Sequence, residues 1–290
     1  MRETWLRRIV LLNIIVQSGI IVTGAIVRVT ESGLGCPTWP QCVEGSYVPT
    51  ATQAESWHKY VEFGNRLLTF VVGLAALALI VAAFRFTKTR ALRLLAATPL
   101  LGTIGQAVLG GITVLTGLHP ATVMAHFLLS IVLVGLCVLL WIKLFRPQSP
   151  NPDAYIRLLR LALVASSAVV IILGTIVTGS GPHSGDADAT SRFHFDQQLV
   201  SWLHADAVWL FVGIIFATWI VAFARPAINR TALIALTVTT VAQGGIGYLQ
   251  HFTGLPELLV IFHVLGAVLL WNFTLFTASA LNAETPHTQQ

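Results

Sequence analysis

Long apolar runs separated by short polar breaks dominate the chain. Eight of them, at roughly 9–27, 61–84, 94–115, 122–142, 161–179, 198–224, 232–251 and 257–281, can be read along the sequence. A helix needs about 20 apolar residues to cross roughly 30 Å of hydrocarbon. None of the runs alternates with the period of two that a membrane strand requires. The pattern predicts an all-α membrane protein with eight transmembrane helices. The first run is too long for a cleaved signal segment and no small-residue cleavage site follows it, so it is expected to stay as a span.

Composition agrees. The 290 residues are 55% hydrophobic and 10% charged, with a mean hydropathy of +0.78. Soluble domains carry about 25% charged residues, so lipid is the solvent this chain suits. Charge then sets the orientation. Of 17 Lys and Arg, thirteen fall on one side of an eight-span topology: Arg2, Arg7, Arg8, Arg85, Lys88, Arg90, Arg93, Lys143, Arg146, Arg157, Arg160, Arg225 and Arg230. Only Arg28, Lys59, Arg66 and Arg192 fall on the other. The positive-inside rule puts both termini in the cytoplasm. The net charge of +5 thus reflects orientation in a bilayer and gives no support to nucleic-acid binding.

That orientation bears on "GLGCPTWPQC", residues 33–42. Cys36 and Cys42 lie outside the cytoplasm, where thiols can oxidise and stay oxidised. No second Cys or His pair is close by in sequence, which weighs against zinc. A disulfide closing a small loop is expected, and a redox role for the pair stays open. Cys137 lies mid-span and reads as a small apolar side chain.

The chain also repeats itself. "QAVLGGITVLTGLHPATVMAHF" from Gln106 and "QGGIGYLQHFTGLPELLVIFH" from Gln243 share Gly four residues on (Gly110, Gly247), Thr-Gly-Leu ten residues on, and His twenty residues on (His126, His263). More weakly, "GAIVRVTESG" from Gly24 echoes "GTIVTGSG" from Gly174, which sets Asn65 of the second span opposite His204 of the sixth. The expected arrangement is two four-helix bundles, 1–146 and 147–290, related as parallel repeats about an axis along the membrane normal. Asn65, His126, His204 and His263 then share one depth near the extracytoplasmic face, on spans two, four, six and eight.

Ionisable residues inside a membrane are costly, which makes them functional candidates. A lone histidine most often makes a helix–helix hydrogen bond. Three at equivalent repeat positions suggest axial ligands to haem iron, held in an apolar bundle. Small residues in "GQAVLGG" and "AQGGIGY" would let a flat ring approach. Glu62 lies about one turn before Asn65 on the same face. A carboxylate at the edge of a low-dielectric pocket suits proton transfer; an ion pair with Arg66 is the simpler reading. Asp206 reads as a helix–helix contact.

Taken together, "GAIVRVTESGLGCPTWPQC", "EFGNR" and one His near the start of each later even span resemble the haem A synthase family over nearly the whole chain. The resemblance implies an oxidoreductase that converts the C8 methyl of haem O to a formyl group, giving haem A for terminal oxidases. It implies a haem b cofactor on His204 and His263, a haem O site in the first half with His126, Asn65 and Arg66, a catalytic Glu62 and a Cys36–Cys42 disulfide. The family's second-span motif has His where this chain has Asn65. Some members carry a second cysteine pair after the fifth span, which the loop 180–197 lacks. A lipid bilayer, an electron acceptor and a haem O synthase are the expected partners. Two other classes compete: a di-haem membrane cytochrome that leaves Glu62 without a chemical role, and a parallel-repeat transporter, which would place its polar groups nearer the midplane.

Overall fold

The computed structural model describes residues 2–146, 152–225 and 228–282. The expected boundary between halves, at 146/147, abuts residues outside that description. Eight helices are present among the described residues: α1 (Arg2–Val29), α2 (His58–Phe86), α3 (Arg90–Leu115), α4 (Pro120–Phe145), α5 (Ala154–Ser180), α6 (Gln197–Ala224), α7 (Thr231–Thr253) and α8 (Glu257–Ala280). Each is long and apolar enough to cross a membrane, so this is an all-helical multi-pass membrane protein. Most helices outrun the apolar runs by a few residues. Flanking polar residues can continue a helix into the interface, where their side chains stay wet.

Helix α1 packs on α2 and α4, and α3 packs on both α2 and α4, which closes a ring of four. In the second half α5 packs on α6 and α8, and α7 packs on α8. Helices α6 and α7 meet only thinly, with Trp219 Nε1 donating to Thr237 Oγ1 at 3.0 Å. Between the halves run α1, α4, α5 and α8, whose Ile21, Ile131, Val134, Ile171 and Val268 form one buried cluster. Lipid tails are as apolar as these side chains, so close packing, aided by small residues, must hold the seam. Gly135 of α4 supplies such a place, seating Trp271 of α8: a Cβ there would lie 2.9 Å from the indole nitrogen.

The repeated Thr-Gly-Leu triplets have a shared geometry. Gly117 and Leu118 have φ of 60° and 58°, and Gly254 and Leu255 have 77° and 62°. Leu118 N donates to Thr113 O at 2.9 Å and Leu255 N to Gln250 O at 3.0 Å. A left-handed glycine past the last helical turn is a common helix stop. The two turns reverse the chain so that α4 and α8 begin beside the ends of α3 and α7.

Candidate functional site

Each candidate on an even helix is the seventh or eighth residue of its helix: Asn65 in α2, His126 in α4, His204 in α6 and His263 in α8. At 1.5 Å per residue they lie about 10 Å from their helix starts. Each imidazole abuts a glycine on a neighbouring helix. A Cβ at Gly110 of α3 would stand 3.2 Å from His126 Cε1, at Gly174 of α5 3.2 Å from His204 Cε1, and at Gly247 of α7 3.6 Å from His263 Cε1. Of the glycines expected to admit a flat ligand, Gly110 and Gly247 instead seat imidazoles. At Gly24, the counterpart of Gly174, an added Cβ meets nothing within 4 Å.

The three histidine Nδ1 atoms are buried and meet no partner at hydrogen-bond geometry, although each ring as a whole is only half-buried. His204 and His263 lie close enough to interact electrostatically, and the His204 ring approaches the Val170 carbonyl. The repeated glutamines brace the same helices. Gln106 Nε2 donates to His126 O at 2.9 Å, and Gln243 Nε2 to Phe262 O at 3.4 Å. Asn65 is tied instead to α1, its Oδ1 lying 2.7 Å from Thr23 Oγ1.

Glu62 is buried and fully engaged. Arg66 Nη2 donates to Oε1 at 2.6 Å and Arg66 Nε at 3.0 Å, and the Cys36 amide donates to Oε2 at 2.5 Å. The ion pair expected from the sequence is thus real, yet Arg66 does more. Its remaining N–H groups donate to Cys36 O (2.7 Å), Thr38 O (3.1 Å) and Gln41 O (3.1 Å). Cys36 and Cys42 are joined in a disulfide and are wholly buried. This loop folds Trp39 onto α3, where a Cβ at Gly111 would come 2.3 Å from the Trp39 ring. Gly111 adjoins Gly110, the seat of His126, so the cystine loop and the His126 ring meet α3 at consecutive residues.

The cysteine-free loop 180–197 is held by arginines. Arg192 donates to Gly181 O, Pro182 O, Ala189 O and Ser191 O at 2.8–2.9 Å. Arg28 reaches across from α1 to His183 O and Thr178 O. Lys59 likewise donates to Thr50 O and Gln53 O. All four cations on the charge-poor side tie loop carbonyls. Sequence reasoning missed that role for Arg28, Lys59 and Arg192; their standing as exceptions to the charge bias was the available signal. It also missed Trp39 and Thr23, whose roles depend on which helices adjoin. Asp206 is exposed, and no hydrogen bond or ion pair of its side chain to another helix is seen among the described residues.

Fold and site together define a class: a helical membrane protein with imidazoles at like positions of three helices, each against a glycine of a neighbouring helix, and a buried carboxylate beneath a disulfide-closed loop. The chain belongs to the COX15-CtaA family, described as cytochrome oxidase assembly protein, whose family model matches residues 7–275. Among its relatives, a protein of Halalkalibacterium halodurans named heme A synthase is 32% identical over 139 residues, 47% of this chain and 45% of that one. A heme A synthase of Bacillus cereus is 25% identical over an alignment of 303 residues, 97% of this chain and 95% of the relative. One of Shewanella oneidensis is 29% identical over 208 residues, 64% and 58% respectively. The chain thus spans about half the length of the first relative and nearly all of the second.

Proposed function

We propose that this protein is a haem A synthase, a membrane enzyme that oxidises the C8 methyl of haem O to a formyl group. The observation that carries the reading is Glu62, a buried carboxylate held by Arg66 and the cystine loop, three residues from Asn65 on the helix facing that loop. A family match over residues 7–275, with relatives named for this activity, supports it. A cytochrome that only passes electrons gives such a group no chemical role.

The donor set fits haem. Among the described residues no three His, Cys, Asp or Glu side chains gather to hold a bare metal ion. Axial ligation needs only one or two imidazoles beside an apolar slot. His204 and His263 would hold haem b in the second half (147–290), and His126 would receive haem O in the first (1–146). Bound haem b supplies one-electron chemistry. The chain's own residues do the rest. Trp39 and the cystine loop keep water from the first-half site. Glu62 holds or accepts a proton at Oε2, and Arg66 balances its charge while fixing the loop. Asn65 is a poor iron ligand, so the first site would hold its haem through His126 and let it exchange, whereas His204 and His263 would retain theirs. The positive-inside bias supports cytoplasmic termini and an outward-facing site. A haem O synthase is a natural partner, because haem O is insoluble.

The test is expression in a host that makes haem O, followed by pigment extraction. Haem A or its hydroxylated precursor is expected; absence of both in cells containing the folded, haem-loaded protein defeats the proposal.

A further inference from the structure

The loop between α5 and α6 belongs to the second half, yet it reaches the segment that holds Glu62 in the first. Gly33 N donates to Gly185 O at 2.7 Å, and Leu34 N to Asp186 Oδ2 at 3.2 Å. Two residues further on, the Cys36 amide donates to Glu62 Oε2. From these contacts we propose that Asp186 is a positioning residue for Glu62, acting through the backbone of residues 34–36 across the boundary between the halves. The inference rests on the reading of Glu62 as the catalytic carboxylate.

Asp186 is itself well fixed. Its Oδ1 accepts from Asp188 N at 3.0 Å, and its carbonyl accepts from Ser184 Oγ at 2.8 Å and Ala189 N at 3.2 Å. The start of the loop is anchored in the second half, where His183 Nε2 lies 2.9 Å from Leu255 O. The intervening segment has little freedom. A Cβ at Gly33 would come 2.8 Å from both Gly185 O and the Leu118 side chain, and one at Gly35 would come 2.5 Å from His58 O. Residues 33–36 are therefore pressed between the α5–α6 loop and the start of α2. Moving Asp186 must move the Cys36 amide, and with it the carboxylate it holds.

Asp186 also lies near enough to Glu62 to interact electrostatically. The other charged group on Glu62 is Arg66 of its own helix. Lys59 is turned to the Thr50 and Gln53 carbonyls, and Arg28 of α1 to Thr178 and His183. Asp186 is thus the charged side chain that another part of the fold brings to this carboxylate.

The experiment compares Asp186→Ala, which removes both acceptors, with Asp186→Asn, which keeps an acceptor oxygen. Each is read in membranes for kcat and KM on haem O, for the haem b spectrum and for thiol reactivity of the cystine. Displacing a reacting group by about 1 Å costs on the order of 100-fold. Asp186→Ala is expected to lose about 10-fold or more in kcat with KM within about two-fold, haem b normal and the disulfide intact. Asp186→Asn is expected to recover most of the loss. An unchanged kcat in the alanine variant overturns the inference. So does a joint fall of kcat, haem b and disulfide, which marks a merely structural tie, and so does an asparagine variant as poor as the alanine. If the alanine variant fails to accumulate, Asp186→Glu reads the same split, kcat falling with KM held, and an unchanged kcat again overturns it. Glu62→Gln is run alongside. Turnover retained there defeats the catalytic reading itself; turnover lost there but kept in Asp186→Ala defeats this inference alone.

Discussion

Asn65 stands where the repeat supplies a histidine in the other half, and it accepts a hydrogen bond from Thr23 of α1. A side chain at Gly24 meets nothing within 4 Å, whereas its counterpart Gly174 sits against the His204 ring. Asn65→His breaks the bond from Thr23 Oγ1 and sets the imidazole against α1. Under the proposed function it adds a second imidazole opposite His126. The expected result is a gain of low-spin haem signal in the first half, with slower turnover because the substrate leaves less readily. Absorption and electron paramagnetic resonance spectra of the two proteins check this; identical spectra at equal haem loading count against a haem at this position. Glu62 makes the complementary case. Replacing it by Gln keeps the size and removes the base. General acid–base groups contribute about 100- to 10,000-fold, so turnover should fall by that order while haem b binding, measured by the Soret band, stays at the level of the unmodified protein.

At the scale of helices and loops, much was legible in advance. Apolar length alone marks eight spans, because hydrocarbon demands that every backbone group be satisfied within its own helix. The repeat pointed to Asn65, His126, His204 and His263, each of which is the seventh or eighth residue of its helix. The loop interactions were not legible, because they join residues far apart in sequence. Arg28 meets His183 across 155 positions, and Leu34 meets Asp186 across 152. Nor does periodicity reveal that Gly110, Gly174 and Gly247 receive imidazoles, since a stripe of small residues only says that something comes close. The loop 180–197 lacks cysteines, and Arg192 holds its carbonyls instead. Removing that guanidinium leaves four carbonyls to find other partners. Loss of a partner costs about 1–3 kcal/mol for a buried group and less where water can substitute. Arg192→Ala should thus destabilise the protein by roughly 2 kcal/mol, seen as a lower melting temperature in detergent. Arg192→Lys should recover little, because an ammonium lacks the planar fork that reaches several carbonyls at once.

For the molecule as a whole, the question is whether the two halves behave as one body. Their seam is a continuous cluster drawn from α1, α4, α5 and α8. The loops cross it as well, through Gly33 and Leu34 on one side and Gly185 and Asp186 on the other. Asn272 of α8 adds a polar contact to Ser18 of α1 at 3.4 Å. A packed core admits few small adjustments, so a wedge placed in the seam should be felt by both halves. Gly135 is the place for it, since an added Cβ lies 2.9 Å from Trp271 Nε1 and 3.5 Å from Leu275 Cδ1. Gly135→Leu must push α8 from α4, and overpacking of this kind costs about 1–3 kcal/mol. Two reporters follow the halves separately: protease cleavage of the cystine loop for the first and loss of the haem b Soret band for the second. In the unmodified protein the two should report one transition. In Gly135→Leu both should move to lower temperature together. If only the Soret transition moves, the halves melt independently, and the cross-boundary hold of the α5–α6 loop on residues 33–36 is too weak to make them a single unit.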